Sequence, residues 1–473
     1  MKHKYKFILF FFIFLIVIFV LGATNVENKN SNTFIQLIKS KLPHKLKVVL
    51  KETIFSIPTL NRKTARLEIA VNELNSKIAV LSKRVEYLHA GNEQILPKID
   101  SKQIKSQSNN YDIKTFRLPF PTNYDWLMKA VAYLEQTEEE IILASGDGNF
   151  YSLKKAELQS EDLNIKKINS NIKDVINNEE FYSSGPTGIR DLLIIDNKIL
   201  FSFTKKLKDG CYNTSIMNSE LNSEYLNFSE FFTYEECVDE NSPKYMSGGR
   251  MVSFREGKIL LTIGTWGHKR IAQDKNSLFG KVISIDIKSK KYEIIAMGSR
   301  NAQGLYYDKI SNVIVHTEHG PKGGDEININ LNPDNKIVEN YGWPISSYGE
   351  NDDEKFKKEA PLHKSHKDYG FVEPIKYYTP SIAISEIIKI PETLNEKFTN
   401  DFFVAALGRK AQINEGDRSI HHVRFNKNFD QIIFEDIVPI GERIRDMIFV
   451  KKKNIILMVL ESIPAIGILK LVD

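Results

Sequence analysis

Residues 298–344 read GSRNAQGLYYDKISNVIVHTEHGPKGGDEININLNPDNKIVENYGWP, and this stretch decides the fold. Its centre holds the β-branched run Val313-Ile314-Val315, which has the composition of a short strand. Three glycine-containing segments surround that run, at 298–305, 318–328 and 340–344. Glycine and proline at this density mark turns and close approaches of the backbone. The stretch therefore predicts short strands joined by structured loops.

Short β-rich runs separated by turn residues continue in both directions, from about residue 116 to the end of the chain. The clearest runs lie at 141–144, 192–195, 251–254, 259–263, 282–287, 402–405 and 455–459. Strands this short, without intervening helical periods, indicate an all-β sandwich or propeller. About 350 residues exceed one sandwich, whereas blades of about 40–60 residues each give roughly six blades. Periodicity alone leaves the blade count open, because no clean internal repeat is visible.

The glycine-rich segments belong to an ordered series of motifs. G-G-R at 248–250 is followed by G-x-R-N-x-Q-G-L at 298–305, E-H-G-P-x-G-G-D-E-I-N at 318–328, N-Y-G-W-P at 340–344 and R-I-R-D at 443–446. This series resembles the glucose/sorbosone dehydrogenase family, the quinoprotein sugar dehydrogenases, over roughly residues 116–473. The resemblance implies a six-bladed β-propeller that oxidises an aldose sugar or related alcohol with pyrroloquinoline quinone (PQQ) and calcium. It also implies an electron acceptor, whose identity stays open.

Four polar residues match the family's cofactor-binding positions. PQQ carries three carboxylates and an orthoquinone, so its site needs rigidly held cationic side chains that pair with a carboxylate through two hydrogen bonds. Arginine does this better than lysine. Arg300 and Asn301 match the family's cofactor pair, and Arg443 and Arg445 match its second arginine pair. A spacing of two places both arginines on one face of a strand. The alternative is that Arg300 or Arg445 forms a structural salt bridge.

Two calcium sites are implied by the same resemblance. The backbone carbonyls of Gly320 and Pro321 match those that hold the catalytic calcium, an ion that prefers oxygen ligands. Glu326 and the Tyr341 carbonyl match a second, structural site. The residues that complete this second site, if a one-residue gap is allowed, are Ser347, Tyr348 and Glu350. The alternative for Glu326 is a carboxylate that caps a turn.

Three positions near the quinone depart from the family pattern. The family's histidine base is replaced by Met246, a supporting aspartate by Thr265 and a cofactor lysine by Gly408, with Arg409 and Lys410 as shifted substitutes. Methionine accepts no proton, so the catalytic residue is unknown. His268 and His319 are the two candidates that the sequence offers for the base.

The departures leave three hypotheses for the function. The first is a PQQ- and calcium-dependent sugar dehydrogenase with an altered base. The second is a catalytically inactive propeller that binds a ligand or partner through the same face, because the base is lost while the calcium loop is kept. The third is a cell-surface scaffold. A formal net charge of +5, with acidic residues interspersed, indicates no nucleic-acid surface.

The N-terminus predicts export. Lys2, Lys4 and Lys6 precede an apolar run at 7–23, which at about 17 residues is long enough to span a bilayer. The lysines predict a cytoplasmic N-terminus and an extracytoplasmic body, on the periplasmic side of the inner membrane in a bacterium. Residues 1–24 are therefore a membrane anchor or a signal segment, and the anchor is favoured because Gly22-Ala23 is a weak cleavage site.

Residues 25–115 form a predicted linker that contains one patterned segment, at about 60–90. The positions that alternate in steps of four and three are Leu67, Val71, Leu74, Ile78, Leu81, Val85 and Leu88. This heptad repeat favours a short parallel coiled coil and hence a homo-oligomer. The alternative is an amphipathic helix packed on the propeller, which is predicted to occupy residues 116–473. Only two cysteines occur, Cys211 and Cys237, and an exported chain allows them to pair.

Overall fold

The structure, a computed structural model, describes residue 71 and residues 93–119, 131–176, 188–207, 210–351, 354–408 and 416–472. The chain divides into two compact units, Met1–Ala79 and Val80–Asp473. The predicted anchor at 7–23 and the predicted helix at 60–90 lie outside the described residues, apart from Val71, which is helical. Within the described ranges no helix is long and apolar enough to cross a membrane.

The described residues of the second unit form short strands and a few single-turn helices. The strands are β1 (Glu93–Leu96), β2 (Lys98–Lys105), β3 (Asn110–Arg117), β4 (Ala132–Gln136), β5 (Glu140–Ser145), β6 (Phe150–Lys154), β7 (Leu163–Ser170), β8 (Ile189–Ile195), β9 (Lys198–Lys206), β10 (Tyr212–Glu220), β11 (Tyr225–Leu226), β12 (Ser229–Phe232), β13 (Gly248–Phe254), β14 (Lys258–Ile263), β15 (Lys281–Asp286), β16 (Tyr292–Met297), β17 (Ala302–Asp308), β18 (Val313–Glu318), β19 (Asp325–Asn330), β20 (Glu339–Asn340), β21 (Lys376–Tyr378), β22 (Ile384–Ile390), β23 (Asp401–Ala406), β24 (Ile420–Phe425), β25 (Ile432–Val438), β26 (Ile444–Val450), β27 (Ile455–Leu460) and β28 (Ala465–Val472). The α-helical turn is α1 (Ile172–Val175), and the 3₁₀ turns are Lys155–Glu157, Lys244–Met246, Arg270–Gln273, Glu354–Phe356, Lys367–Tyr369 and Lys451–Lys453.

These strands form six sheets arranged as a closed ring. The sheets run β4-β5-β6-β7-β1, β8-β9-β10-β12, β13-β14-β15-β16-β20, β17-β18-β19-β21, β22-β23-β24-β25 and β26-β27-β28-β3-β2, and β11 pairs with β7. We call them blades 1 to 6 in this order. The innermost strand of each blade contacts the innermost strand of the next, and β26 of blade 6 contacts β4 of blade 1. The predicted six-bladed β-propeller is therefore confirmed.

The ring is closed by the N-terminal strands. In blade 6, β3 pairs with β28 along its whole length, from Arg117 opposite Ala465 to Asn110 opposite Val472. The strand β2 then extends blade 6 at its outer edge, while β1 pairs with β7 of blade 1. The strands that the structure describes thus include residues from Glu93 onward, upstream of residue 116, where the sequence predicted the change to β-rich texture. The polar strand β2 escaped that prediction because it buries only Ile104.

The apolar core lies between neighbouring blades. One cluster joins Phe150 of blade 1 to Phe201 and Phe203 of blade 2, together with Phe228 from the loop before β12. The ring centroids of Phe150 and Phe228 are 4.9 Å apart, and those of Phe201 and Phe228 are 4.8 Å apart. Because each sheet buries its faces against its neighbours, the ring folds as one unit. That rigid ring fixes the positions of the innermost strands.

Bulges at the start of the innermost strands position the site. In blades 2, 4 and 6 the register skips one residue, which is Arg190, Gln303 or Arg445. In blades 3 and 5 it skips two, which are 249–250 and 385–386. A bulge interrupts the alternation of side chains between the two faces of a sheet. Consecutive residues of one strand can therefore both reach the centre of the ring.

A disulfide joins Cys211, which precedes β10, to Cys237, which follows β12. The pairing that the sequence allowed is therefore confirmed. It closes a loop with a sequence separation of 26 residues, which contributes roughly 3 kcal/mol by the loop-entropy estimate. A structural disulfide is typical of a protein that folds in an oxidising, extracytoplasmic compartment.

Candidate functional site

Four arginines gather where the innermost strands of blades 2, 4 and 6 begin. Arg190 is in β8, Arg300 precedes β17, and Arg443 and Arg445 lie at the start of β26. We call these residues, with Gln303 of β17, the arginine layer. Three of its members meet at one amide: Gln303 Oε1 accepts hydrogen bonds from Arg445 Nη1 at 3.3 Å and from Arg190 Nη2 at 3.5 Å. These contacts show that the three strands begin at the same end of the ring.

Arg443 and Arg445 share one carboxylate. Glu461, which is fully buried, accepts hydrogen bonds from Arg443 Nε at 3.2 Å and from Arg445 Nε at 2.6 Å. Arg443 Nη1 also donates to the carbonyls of Leu407 and Gly408, at 3.1 and 2.7 Å. Burial alone would raise the pKa of Glu461, but the two arginines lower it below its ordinary value. The structural salt bridge that was the alternative reading of Arg445 is thus present, and it fixes the direction of both side chains.

Arg300 links the start of β17 to the motif loop after β18. Its backbone N–H donates to Glu318 Oε1, and its Nη1 donates to the carbonyl of His319 at 3.0 Å. Its guanidinium lies over the ring of Trp343, 5.4 Å from the centroid. These contacts bring three of the sequence motifs together: R-N at 300–301, E-H-G-P at 318–321 and G-W-P at 342–344.

His319 is the point on which the predicted arginines converge. Burial, together with the charges of Arg445, Arg300 and Arg443, lowers the pKa of His319 to about 3. The imidazole is therefore neutral at physiological pH. Its Nε2 is buried and has no hydrogen-bond partner among the described residues. The unpartnered nitrogen of a neutral imidazole can accept a hydrogen bond from a hydroxyl, and the neighbouring cations attract an anion, so a ligand with both kinds of group would complete this arrangement.

Asn301, which the resemblance predicts to bind the cofactor, makes several contacts within the chain. Its Oδ1 accepts hydrogen bonds from Gly248 N at 3.2 Å and from Gln303 Nε2 at 3.1 Å. Its Nδ2 donates to the carbonyl of Tyr245 at 3.4 Å. These contacts fasten the start of β17 to the start of β13 and orient Gln303. In this structure Asn301 therefore positions the arginine layer.

A second layer of charges lies beside the first. Arg250 Nη1 contacts three carboxylates: Asp446 at 2.7 Å, Glu386 at 2.8 Å and Asp191 at 3.1 Å. We call these four residues the carboxylate layer; they come from the innermost strands of blades 3, 6, 5 and 2. The two layers are connected, because Arg250 Nη2 donates to the carbonyl of Arg445 at 3.0 Å.

Arg250 cannot satisfy all three carboxylates by itself. A guanidinium Nη carries two N–H donors, so three carboxylate oxygens around one Nη exceed its capacity. Burial raises the pKa of Asp191 to about 7 and raises the pKa of Glu386 well above its ordinary value. Both shifts favour the protonated acids, which reduces the negative charge that Arg250 has to balance.

A cleft that opens beside Arg300 contains the predicted metal-binding segment. The residues that line it are Arg300, Glu318, Gly320, Gly324, Glu326, Tyr341, Trp343, Ser346 and Ser347. Glu318 of β18 lies directly opposite Glu326 of β19, and both carboxylates are buried. Glu318 Oε2 has no hydrogen-bond partner among the described residues. Burial raises the pKa of Glu326, to which the neighbouring charge of Glu318 adds.

The same face of β18 and β19 carries two more buried polar side chains. His316 lies opposite Asn328, and both residues are buried. His316 Nε2 is 3.8 Å from Glu318 Oε2, and neither His316 Nε2 nor Asn328 Oδ1 has a hydrogen-bond partner within the described ranges. Glu326 already contacts His366 at 3.3 Å and accepts a hydrogen bond from Asn328 at 3.1 Å, so the unpartnered Oε2 of Glu318 is the carboxylate oxygen best suited to a cation. Across the described part of the chain, no three His, Cys, Asp or Glu side chains form a metal cluster, so carbonyl oxygens would have to complete the ligand set.

The predicted metal ligands are only partly brought together. Gly320, Glu326, Tyr341 and Ser347 line the cleft, whereas Pro321, Tyr348 and Glu350 are absent from its lining. The Tyr348 hydroxyl donates to Glu373 at 2.9 Å, and its carbonyl accepts a hydrogen bond from Lys364 at 3.3 Å. Glu350 is exposed, and its main chain pairs with Lys322. Tyr348 and Glu350 thus fasten the loop outside the cleft.

The positions that depart from the family pattern are occupied by structural contacts. Met246 is buried, and its carbonyl accepts a hydrogen bond from Trp266 N at 3.0 Å. Both the N–H and the hydroxyl of Thr265 donate to the carbonyl of Arg300, at 2.9 and 3.1 Å. Gly408 provides only its carbonyl to Arg443, and Arg409 and Lys410 lie outside the described residues.

His268, the second candidate base, lies on a solvent-accessible loop. Its side chain is 45% exposed, its Nε2 is 2.9 Å from Ser242 Oγ and 3.8 Å from Asp239 Oδ2. These partners hold the ring by hydrogen bonds to a neighbouring turn. Of the two histidines, only His319 lies among the arginines.

Sequence reasoning missed Arg190, Gln303, Glu318 and Glu461 as site residues. Glu318 and Gln303 stand inside the motifs at 318–328 and 298–305, so motif membership was an available signal for both. Glu461 had none, because it follows an ordinary apolar strand, β27. Arg190 also stands in an apolar strand, and only the bulge in β8 brings it to the centre of the ring.

Comparison with known proteins agrees with this geometry. The sequence model of the family described as Glucose / Sorbosone dehydrogenase matches residues 150–463. Aldose sugar dehydrogenase YliI of Escherichia coli (strain K12) is 26% identical over 249 residues, which are 49% of this chain and 65% of that protein. An uncharacterised protein of Synechocystis sp. is 29% identical over 224 residues, 42% of this chain and 50% of its own length. The matched regions thus span about half to two thirds of these relatives.

Solved structures share the propeller. A crystal structure of glucose dehydrogenase aligns with a TM-score of 0.59 at 19% identity, covering 79% of this chain and 100% of that one. The apo form of the soluble aldose sugar dehydrogenase of Escherichia coli aligns with a TM-score of 0.55 at 21% identity, covering 76% and 99%. The PQQ-bound aldose sugar dehydrogenase of Streptomyces coelicolor aligns with a TM-score of 0.52 at 14% identity, covering 76% and 98%. By the family match over residues 150–463, the chain belongs to the glucose/sorbosone dehydrogenase family.

Proposed function

We propose that this protein binds PQQ at the arginine layer, with calcium, and oxidises an aldose sugar or a related alcohol. One observation carries the proposal: guanidinium groups gather at the start of the innermost strands, where Arg443 and Arg445 share one carboxylate, Glu461, and Arg300 binds the carbonyl of His319. PQQ is a tricarboxylate, and arginine binds carboxylates through two parallel hydrogen bonds. Buried groups of one charge gathered at a polar centre are typical of ligand sites.

The residues of the layer divide the work of holding such a ligand. Arg300 and Arg443 would each bind a carboxylate of PQQ, and Arg445 would assist them from its position next to Gln303. Glu461 holds the guanidinium groups of Arg443 and Arg445 by hydrogen bonds, and the ring of Trp343 supports the guanidinium of Arg300. When bound, PQQ supplies the acceptor for the hydride that leaves the sugar. The ring of packed blades keeps water away from the buried part of the layer.

We place calcium at the cleft beside Arg300. Glu318 and Glu326 face each other across β18 and β19 in a buried position. Calcium prefers oxygen ligands, including main-chain carbonyls. By family resemblance the Gly320 carbonyl would belong to the catalytic calcium, and the Tyr341 carbonyl, with Glu326, to a second, structural calcium. A divalent cation there would offset the repulsion between the two carboxylates.

A ligand-binding propeller without dehydrogenase activity is the second candidate, and Met246 favours it. Its thioether accepts no proton at the position where the family carries its base. His319, with a pKa of about 3, is a weak base, and His268 is held by Ser242. General-base assistance contributes roughly 10²–10⁴-fold to such reactions, so we expect oxidation to be slow.

Reconstitution tests the proposal and separates the two candidates. Full-length protein, stripped with a chelator, is incubated with PQQ and calcium and then desalted. We expect the absorbance of PQQ to stay with the protein and aldoses to reduce an artificial dye. Retained PQQ without aldose-dependent dye reduction selects the inactive ligand-binding propeller. Complete loss of PQQ on desalting contradicts the proposal.

Calcium binding has its own test. We expect calcium to raise the unfolding temperature of the apo protein, since an ion that binds only the folded state at about 100 times its Kd contributes roughly 2.7 kcal/mol. Glu318→Gln should abolish most of this effect. Glu350→Gln is the matched control and should preserve it, because Glu350 is exposed and outside the cleft. If Glu350→Gln instead abolishes the effect and Glu318→Gln preserves it, Glu350 is a calcium ligand, as the sequence predicted.

We further propose that the protein is tethered to a membrane by residues 7–23, with the propeller on the extracytoplasmic side. The basic flank of the apolar run and the Cys211–Cys237 disulfide support this topology. Protease added to spheroplasts should digest the propeller. In inverted vesicles, whose cytoplasmic face is outward, the propeller should lie in the lumen and be protected. Protection in spheroplasts and digestion in the vesicles would show that the propeller lies on the cytoplasmic side.

We also propose that residues 60–90 form a coiled coil that links copies of the chain. The heptad positions Leu74 and Leu81 would lie in its seam. Replacing both with lysine places charge in that seam, and chemical crosslinking between chains should then be lost. Unchanged crosslinking would show that the apolar stripe packs elsewhere.

A further inference from the structure

We propose that Arg190 is a fourth arginine of the cofactor site and that it binds a carboxylate of PQQ together with Arg445. The inference rests on the proposed function and extends it to a residue that no motif of the sequence identifies.

Arg190 occupies the same position in blade 2 as Arg445 in blade 6. In β8, Ile189 pairs with Phe203 and Asp191 with Ser202, which leaves Arg190 as the extra residue of a bulge. In β26, Ile444 pairs with Leu460 and Asp446 with Val459, which leaves Arg445. A bulge re-aims a side chain in the same way wherever it recurs. Equivalent bulges in a ring of equivalent blades therefore aim both guanidinium groups at the centre.

The contacts of Arg190 confirm this placement. Its Nη2 lies 3.5 Å from Gln303 Oε1, the atom that also accepts Arg445 Nη1 at 3.3 Å. Gln303 is itself bonded to Asn301 through its Nε2. Arg190 thus belongs to one hydrogen-bonded group with two residues predicted to bind the cofactor.

The neighbouring blade makes room for Arg190. A Cβ atom on Gly249 would stand 2.4 Å from the Cβ of Arg190, closer than real Cβ contacts come. Gly249 also has a φ of +107°, a conformation that L side chains rarely adopt. The second glycine of the G-G-R motif therefore allows a large side chain at position 190 to enter the centre of the ring.

Two guanidinium groups that meet at one amide oxygen are stabilised by an anion. Arg445 pairs with Glu461, but the same carboxylate also pairs with Arg443. Like charges repel more strongly in a buried, low-dielectric site than in water, and one shared carboxylate offsets only part of that repulsion. A further carboxylate within reach of both guanidinium groups would offset more of it.

The test measures the affinity of the full-length protein for PQQ by absorbance titration in calcium. We expect Arg190→Gln to weaken binding about tenfold to a hundredfold, the range of one charge-assisted pair. Arg190→Lys, which keeps the charge but not the fork, should lose less. Arg117→Gln, in β3 of blade 6, is the matched control and should bind like the wild type. Unfolding curves without PQQ check that each variant folds.

The methyl esters of PQQ separate ligand binding from a structural effect. If Arg190 binds a carboxylate, Arg190→Gln should cost little additional affinity for the trimethyl ester, which lacks the charge. Wild-type binding of PQQ with an unchanged Kd in Arg190→Gln overturns this inference and leaves the proposed function standing. Should Arg190→Gln fail to fold, an unchanged Kd in a folded Arg190→Lys would overturn it equally. No binding of PQQ by the wild type overturns both.

Discussion

The arginine layer and the carboxylate layer are built from neighbouring residues of the same strands. Arg190 is followed by Asp191 and Arg445 by Asp446, and the bulges at these positions turn both members of each pair toward the centre of the ring. Arg250 contacts three carboxylates from three different blades. In the arginine layer, by contrast, Arg443 and Arg445 share the single carboxylate of Glu461.

This difference in charge balance distinguishes residues that stabilise the fold from residues that can bind a ligand. A buried charge that is balanced by protein groups holds strands together, and its removal leaves its partners uncompensated. Buried charges of one sign that gather around a neutral histidine keep their attraction for a ligand. The comparison therefore predicts that substitutions in the carboxylate layer change stability, whereas those in the arginine layer change affinity for PQQ.

The largest effect is expected for Arg250→Met. Removing this guanidinium leaves Asp191, Glu386 and Asp446 together in a buried position without their common partner. Breaking a buried ion pair on one side costs about 3–5 kcal/mol. Urea unfolding should show a loss of that size. Arg255→Met is the control, because its ion pair with Asp334 is largely exposed and should cost under about 1 kcal/mol. Equal losses in both variants would remove the special role of the carboxylate layer.

A smaller effect, seen mainly in ligand affinity, is expected for Arg300→Ala. Charge-assisted pairs to a carboxylate contribute roughly 1.5–3 kcal/mol, so PQQ binding should weaken about tenfold to a hundredfold. Arg443→Ala should behave similarly. The unfolding midpoint without PQQ should fall far less for Arg300→Ala than for Arg250→Met. If stability falls while the Kd for PQQ stays the same, the division between the layers is wrong.

The smallest effect is a pH dependence that belongs to the carboxylate layer. Burial raises the pKa of Asp191 from 3.8 to about 7, and the pKa of Glu386 is raised well above its ordinary value. The nearby Glu135 of blade 1 is affected in the same way, and its pKa rises from 4.5 to about 8. The folded protein therefore holds protons that the unfolded chain has released above about pH 4. The free energy of unfolding should decrease as the pH rises from about 5 to 8.

Glu386→Gln isolates that contribution. Glutamine has the shape and the donor capacity of the protonated acid, so the variant should fold and its stability should fall less steeply over the same pH window. Asp430→Asn, at an exposed turn, is the control and should follow the wild-type curve. Parallel curves for wild type and Glu386→Gln would show that Glu386 does not carry the proton.

Much of the fold followed from the sequence because the relevant signals were local. Apolar runs separated by turns predicted the strands, and the motif series supplied the blade count that periodicity did not. The polar strand β2 was missed, since only Ile104 of its residues is buried. A strand whose pairing lies at an outer edge needs no apolar face, and so it leaves no hydrophobic pattern in the sequence.

The site was predicted in part, for a physical reason. Arg300, Arg443 and Arg445 stand in motifs and were identified, whereas Arg190 was not. Its role depends on a bulge, and a bulge depends on how two strands pair, which the sequence of one strand does not contain. Tyr348 and Glu350 were predicted as ligands from their position after the N-Y-G-W-P motif. Neither residue lines the cleft, although the ring of Tyr348 stacks on His366, which contacts Glu326.

The most direct measurement is a crystal structure of the full-length protein with PQQ and calcium. We predict electron density for the cofactor at the arginine layer, with its carboxylates against Arg300, Arg443 and the pair Arg190–Arg445. The contacts of Arg250 with Asp191, Glu386 and Asp446 should be the same with and without the ligand. Cofactor density away from these arginines, or a carboxylate layer that rearranges to bind it, would contradict the account.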